Sequence, residues 1–135
     1  MAEVNFKELD ENIVGLVKAL NSFKGITTTS SCGGHENPVS AAQWPKGSWY
    51  VAFVIDRDDH GWFALEFLSW LINHDYQGHV SLWPDAKPPY LNTPGKMLEF
   101  IVEGREGENP QAFADWIYKV KDQCYIPPGI LTKQL

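Results

Sequence analysis

Apolar residues near the start of the chain recur at helical spacing: Phe6, Leu9, Ile13, Leu16, Val17 and Leu20 fall on one face of a 3.6-residue period. Asn5, followed three residues later by Glu8, reads as a cap-and-return pair, so the pattern predicts a helix that ends near Gly25. Ile26 to Ser31 is rich in β-branched threonine and reads as a short strand running into a Cys32-Gly33-Gly34 turn. The loop continues through Pro38 and Pro45. Ser48 to Ile55 is apolar at nearly every position, with Trp49, Val51 and Phe53 on one face and Tyr50, Ala52 and Val54 on the other. Such a run predicts a central strand covered on both sides.

The second half repeats the alternation of periods. Asp58 or Asp59 caps a helix whose Phe63, Phe67, Trp70 and Leu71 share a face and which stops by Asn73. Gly78 to Trp83 reads as a third strand ended by Pro84, and Asp85 to Gly95, with Pro88, Pro89 and Pro94, as a rigid extended loop. Met97 to Glu103 alternates, Leu98, Phe100 and Val102 against Glu99, Ile101 and Glu103, the mark of a half-solvated strand. Asn109 as cap and Pro110 in the first turn open a third helix with Phe113, Trp116, Ile117 and Val120 on one face. After Cys124 the tail holds Pro127, Pro128 and Gly129 and reads as irregular from about residue 125.

The expected architecture is α+β: a four-stranded mixed or antiparallel sheet with three helices in the order α-β-β-α-β-β-α. Helices that follow pairs of strands favour this over a doubly wound parallel fold. Phe53 to Arg57 leads into one helix as Phe100 to Arg105 leads into another, an echo compatible with a ββα duplication.

Length, composition and charge narrow the picture. The 135 residues, 44% hydrophobic, match one self-sufficient domain over 1–135. A net charge of −6 opposes the phosphate attraction on which general nucleic-acid binders rely. No apolar run approaches the roughly 18 residues needed to span a bilayer, and the N-terminus lacks a signal-peptide pattern. Cytoplasmic location is the expectation, and Cys32 and Cys124 are read as thiols.

Thr27 to Glu36 gathers five hydroxyls, a thiol, two glycines, an imidazole and a carboxylate at a strand end, where scaffolds display chemistry. Gly33 and Gly34 would allow positive φ and a nest of N–H groups for an anion. His35, three residues after Cys32, is close enough to share its proton or co-ligate a metal. A Cys-x-x-His pair is nonetheless too small a set for a structural zinc site, so no metal is expected. Arg57 and Arg105, placed equivalently in the two ββα units, are a candidate joint grip on an anion. The bland reading makes the hydroxyls strand-edge partners, Cys32 a small core residue and the arginines solvated charges.

Thr28-Thr29-Ser30-Ser31-Cys32-Gly33-Gly34-His35 resembles the Ser-x-Ser-Ser-Cys-Ser-Gly-Arg motif of the wybutosine-synthesising tRNA methyltransferase family. Lys46 to Val54 resembles that family's glycine-tryptophan strand, and Leu98 to Pro110, through Val102-Glu103-Gly104-Arg105, a later strand with an arginine and a proline. The resemblance implies a small α/β fold that binds S-adenosylmethionine without the usual glycine-rich fingerprint and methylates a modified guanosine in tRNA. By position it places Ser30, Ser31 and Cys32 in the active loop; His35 joins them as a catalytic candidate, and Thr28, Thr29, Gly33, Gly34 and Trp49 are candidate ligand-binding residues. Gly33 stands where the family has serine and His35 where it has arginine, whose two-pronged anion grip a neutral imidazole does not supply. With the acidic balance against tRNA, the expectation is a divergent relative binding a small ligand at this loop. Two other classes stay open: a non-catalytic interaction module using Trp44, Trp62, Trp83 or Tyr90, and a thiol or metal enzyme using Cys32 and His35.

Overall fold

The computed structural model describes residues 9–40, 43–86 and 98–128. A 3₁₀ turn, Glu11–Ile13, leads into α1 (Val14–Asn21); β1 (Ile26–Cys32) and β2 (Trp49–Ile55) follow, then α2 (Asp59–Trp70) continued by a π turn (Leu71–Asp75), β3 (Val80–Ala86), β4 (Leu98–Gly104) and α3 (Pro110–Cys124). The four strands form one antiparallel sheet in the order β1-β2-β4-β3. The expected α+β order of helices and strands is therefore present. No helix among the described residues is long and apolar enough to cross a membrane.

Alternate residues decide where the helices lie. Trp49, Val51 and Phe53 of β2 and Phe100 and Val102 of β4 belong to one core cluster with Leu16, Leu20, Phe67, Leu68, Phe113 and Ile117 of the helices; Ala52 and Ile101 do not. All three helices thus cover one face. On the other, Trp83 donates its indole N–H to Glu103 (2.7 Å), whose second oxygen pairs with Arg105 (2.7 Å), and the Arg105 guanidinium lies over the Trp44 ring. This charged and aromatic layer explains why β4 is buried on both sides from Phe100 to Gly104, where the alternation predicts a half-solvated strand.

Other boundaries shift for local reasons. The cap pair Asn5 and Glu8 lies outside the described residues. Asp10 ends the extended chain before the first turn, and its carboxylate does not cap it. The helix then stops at Asn21, four residues before Gly25. In α2 the buried face is Ala64, Phe67, Leu68 and Leu71, while Phe63 is half-buried and Trp70 exposed. Pro84 lies inside β3 rather than ending it; as an edge strand, β3 tolerates a residue with no N–H. Asp58 and Asn109 cap α2 and α3 as expected, accepting from Gly61 and from Gln111 and Ala112.

One irregularity in β1 sets up the site. Thr28 pairs with Phe53, but Ser30 already pairs with Ala52, so Thr29 is an extra residue in a bulge. A strand period of two would send Cys32 to the same face as Ile26 and Thr28, toward the helices. The bulge inverts the remainder of the strand, and Cys32 comes opposite Tyr50 on the face away from the helices.

Candidate functional site

Three segments meet at the end of β1. Cys32 is 2% exposed, covered by the 43–48 segment, whose Trp44 donates its backbone N–H to the Cys32 sulfur at 3.3 Å and packs its ring, tilted, against Tyr50. His35 is fixed by bonds on both sides of its peptide unit: its N–H donates to the Trp44 carbonyl (2.7 Å) and its carbonyl accepts from Lys46 (2.8 Å). Its Nε2 lies 3.2 Å from Asp10 Oδ2, the two side chains being 30% and 36% exposed. Asp10 Oδ2 also accepts the Gly33 N–H at 2.8 Å, and Asn12 donates to the Gly33 carbonyl at 2.8 Å. The ligating atoms of Asp10, Cys32 and His35 lie within 4.8 Å of one another.

This closeness requires glycine at 34, while a side chain at 33 would displace the Asn12 amide. A Cβ on Gly33 would sit 1.9 Å from Asn12 Oδ1, and one on Gly34, where φ is +96°, would sit 2.5 Å from the Ser48 carbonyl. The turn expected to bind an external anion has its Gly33 and His35 N–H groups taken by Asp10 and Trp44. The anion it holds is the chain's own carboxylate.

Beside the same turn lies a cleft of about 310 Å³, walled by Gly33, Gly34, Gly47 and Gly107 with Asn12, Lys46 and Glu108 among its polar groups. Gly47 and Gly107 both hold positive φ, and the Gly107 N–H donates to the Gly47 carbonyl at 2.8 Å. Trp49 anchors this wall by donating its indole N–H to the Glu108 carbonyl at 2.7 Å. The Glu108 carboxylate accepts from the Tyr76 hydroxyl and from the His79 N–H (3.2 Å). Burial, then that bond and the Glu108 charge, push the Tyr76 phenol well above its ordinary range. Lys46 and Glu36 pair across the mouth at 2.9 Å, both largely exposed, so the pair separates at little cost.

The residues singled out in the sequence divide accordingly. Gly33, Gly34 and Trp49 line the cleft; Cys32 and His35 do not. They meet Asp10 instead. Thr28 turns to the helices, where Asn21 donates to its hydroxyl (2.8 Å) and accepts its N–H (3.1 Å). Thr29 and Ser30 are exposed and Ser31 is half-buried, opposite Val51. The joint grip of Arg57 and Arg105 is not formed. β2 and β4 run antiparallel, so the two arginines, each just past its strand, stand at opposite ends of the sheet. Trp62 and Trp83 are exposed, Trp44 is half-buried, and Tyr90 lies outside the described residues.

Asp10, Asn12, Gly47 and Gly107 had no place in the sequence-level site. Asp10 and Asn12 read there as part of a longer helix, and Gly47 as the start of the stretch that resembles a glycine-tryptophan strand. A larger hollow of about 460 Å³ lies between the ends of α1 and α3, lined by Lys24, His60 and Lys121 among others. Its Lys121 ammonium already donates to the Ser22 carbonyl and hydroxyl, each at 3.0 Å, and sits over the Phe23 ring. Burial lowers its pKa, Asp122 opposing the shift. No protein family, curated protein or solved structure matches the chain.

Proposed function

We propose that this chain is a small-ligand-binding domain whose binding site is the glycine-walled cleft beside the Gly33-Gly34 turn. Its ligand is S-adenosylmethionine or a close analogue, as in a divergent relative of the wybutosine-synthesising methyltransferases. The observation that carries the reading is the convergence of four glycines, three from the β1–β2 connection and one from the β4–α3 connection, on one cleft at the end of the sheet. Absence of side chains lets a ligand approach the backbone closely, and about 310 Å³ lies at the lower end of small-molecule sites.

The charges favour a zwitterion. Lys46 suits a carboxylate and Glu36 an ammonium, and an incoming amino-acid group replaces the weak pair those two side chains make with each other. The net charge of −6 speaks for a free small molecule rather than an RNA as the first partner bound.

Calorimetric titration of the folded chain with S-adenosylmethionine and its demethylated product tests this. Saturable heat for at least one is expected. Gly107→His should abolish it: nothing lies within 4 Å of a Cβ there, and histidine is among the residues that best tolerate the αL region. No heat for either ligand, or equal binding by the filled variant, would refute the assignment.

A further inference from the structure

We infer that Asp10, Cys32 and His35 form a zinc site with an open fourth position. This goes beyond the cleft reading and does not rest on it, since none of the three lines the cleft. The donor set is a thiolate, an imidazole and a carboxylate, the combination that suits Zn²⁺ rather than the all-oxygen shells of magnesium or calcium. Three protein ligands with a free vertex is the pattern of zinc centres that bind water or substrate.

The Asp10–His35 pair already has the spacing of a tetrahedral edge, with the Cys32 sulfur close by. The donor atoms lie within 4.8 Å of one another, and the Asp10 Oδ2 to His35 Nε2 separation is 3.2 Å. A tetrahedron with zinc–ligand arms of about 2.0–2.1 Å has edges of about 3.3 Å. The longer zinc–sulfur arm, about 2.3 Å, widens the edges to Cys32 further.

What surrounds the donors suits the bound form. The Trp44 N–H points at the Cys32 sulfur and the Gly33 N–H at Asp10 Oδ2. Both are backbone donors aimed at the two atoms that must be anionic to neutralise a divalent ion, and such outer contacts orient ligands and tune the metal. The ligands come from the segment before α1, the end of β1 and the following loop, each fixed by backbone bonds. The sulfur is buried while the other two side chains are about one-third exposed, so an ion reaches the three donors from the Asp10–His35 side. The bulge at Thr29 is what puts the sulfur there.

The test uses the full chain stripped with a chelator, then titrated with cobalt alone and, separately, with zinc in competition against a chromophoric chelator. Expected are a cobalt–thiolate charge-transfer band that saturates at one ion per chain, and its loss in Cys32→Ser. Asp10→Asn and His35→Gln should each weaken zinc by more than the about 10–100-fold that loss of an outer-shell partner causes. Cys124→Ser, at the exposed second thiol, should change nothing. Circular dichroism of each metal-free variant reports folding; if Cys32→Ser unfolds, the two partly exposed ligands decide the matter. A missing thiolate band, a band that depends on Cys124, or wild-type affinity in His35→Gln would overturn the site. A negative S-adenosylmethionine titration would not touch it.

Discussion

Trp49→Phe perturbs the point where the core and the cleft meet. The Trp49 ring is 1% exposed, stacks near Phe113 at 6.2 Å, and lies so close over its cross-strand partner Gly104 that a Cβ there would be 2.2 Å from the indole. Its N–H holds the Glu108 carbonyl at 2.7 Å. Phenylalanine keeps an aromatic ring next to Cβ and loses the outer part of the indole, so the packing loss is about a third of the about 3–5 kcal/mol for full truncation, or about 1–1.5 kcal/mol. Removing the N–H from a part-buried carbonyl adds about 1–1.5 kcal/mol. The sum, about 2–3 kcal/mol, corresponds to a Tm lower by about 10 °C for a domain of this size. Urea unfolding should show the midpoint fall with an unchanged m-value. Trp62→Phe, at a residue 49% exposed, serves as the control and should stay within about 0.5 kcal/mol. If Trp49→Phe loses no more than this control, the indole is not the anchor of the 104–108 wall and the cleft is not built as described.

Other expectations follow from the same contacts. Asn21→Ala removes the bonds to the Thr28 hydroxyl and N–H and should lower unfolding stability by about 1–2 kcal/mol; a double-mutant cycle with Thr28→Val should show coupling, and additivity would return Thr28 to the pool of ligand-binding candidates. The Tyr76 phenol, raised first by burial and then by Glu108, titrates higher folded than unfolded. Its stabilisation is present below the unfolded value of 10.0 and is lost as pH rises through the folded one. Unfolding stability should therefore decline above pH 10, less steeply in Tyr76→Phe. Equal slopes would show that the phenol does not contribute. Burial also raises Tyr125, so some decline should persist in the variant.

The elements were legible where one signal dominated. The apolar run Trp49 to Ile55 became a central strand, and the Asn109-Pro110 pair opened α3, because caps and periodicity are local. The Met97 to Glu103 alternation predicted its inward residues but not the burial of Glu103, which depends on Trp83 arriving from β3 and on Trp44 backing the neighbouring Arg105. The site was half legible. Composition drew attention to Thr27 to Glu36, and the Gly33-Gly34 turn does shape both the cleft and the cluster. Nothing in that string announces Asp10, seventeen residues before Thr27, or Gly47 and Gly107 farther along the chain.

The sequence by itself determined that helices and antiparallel strands would alternate as they do, since hydrophobic period and cap chemistry act over a few neighbours. The tertiary structure alone decided that Arg57 and Arg105 stand apart, because only strand direction puts the ends of β2 and β4 at opposite edges. It likewise decided that Cys32 turns from the helices toward Asp10 and His35. A single unpaired residue at Thr29 reverses the face of every residue after it in β1, and the side-chain period of a strand cannot reveal an insertion into its pairing.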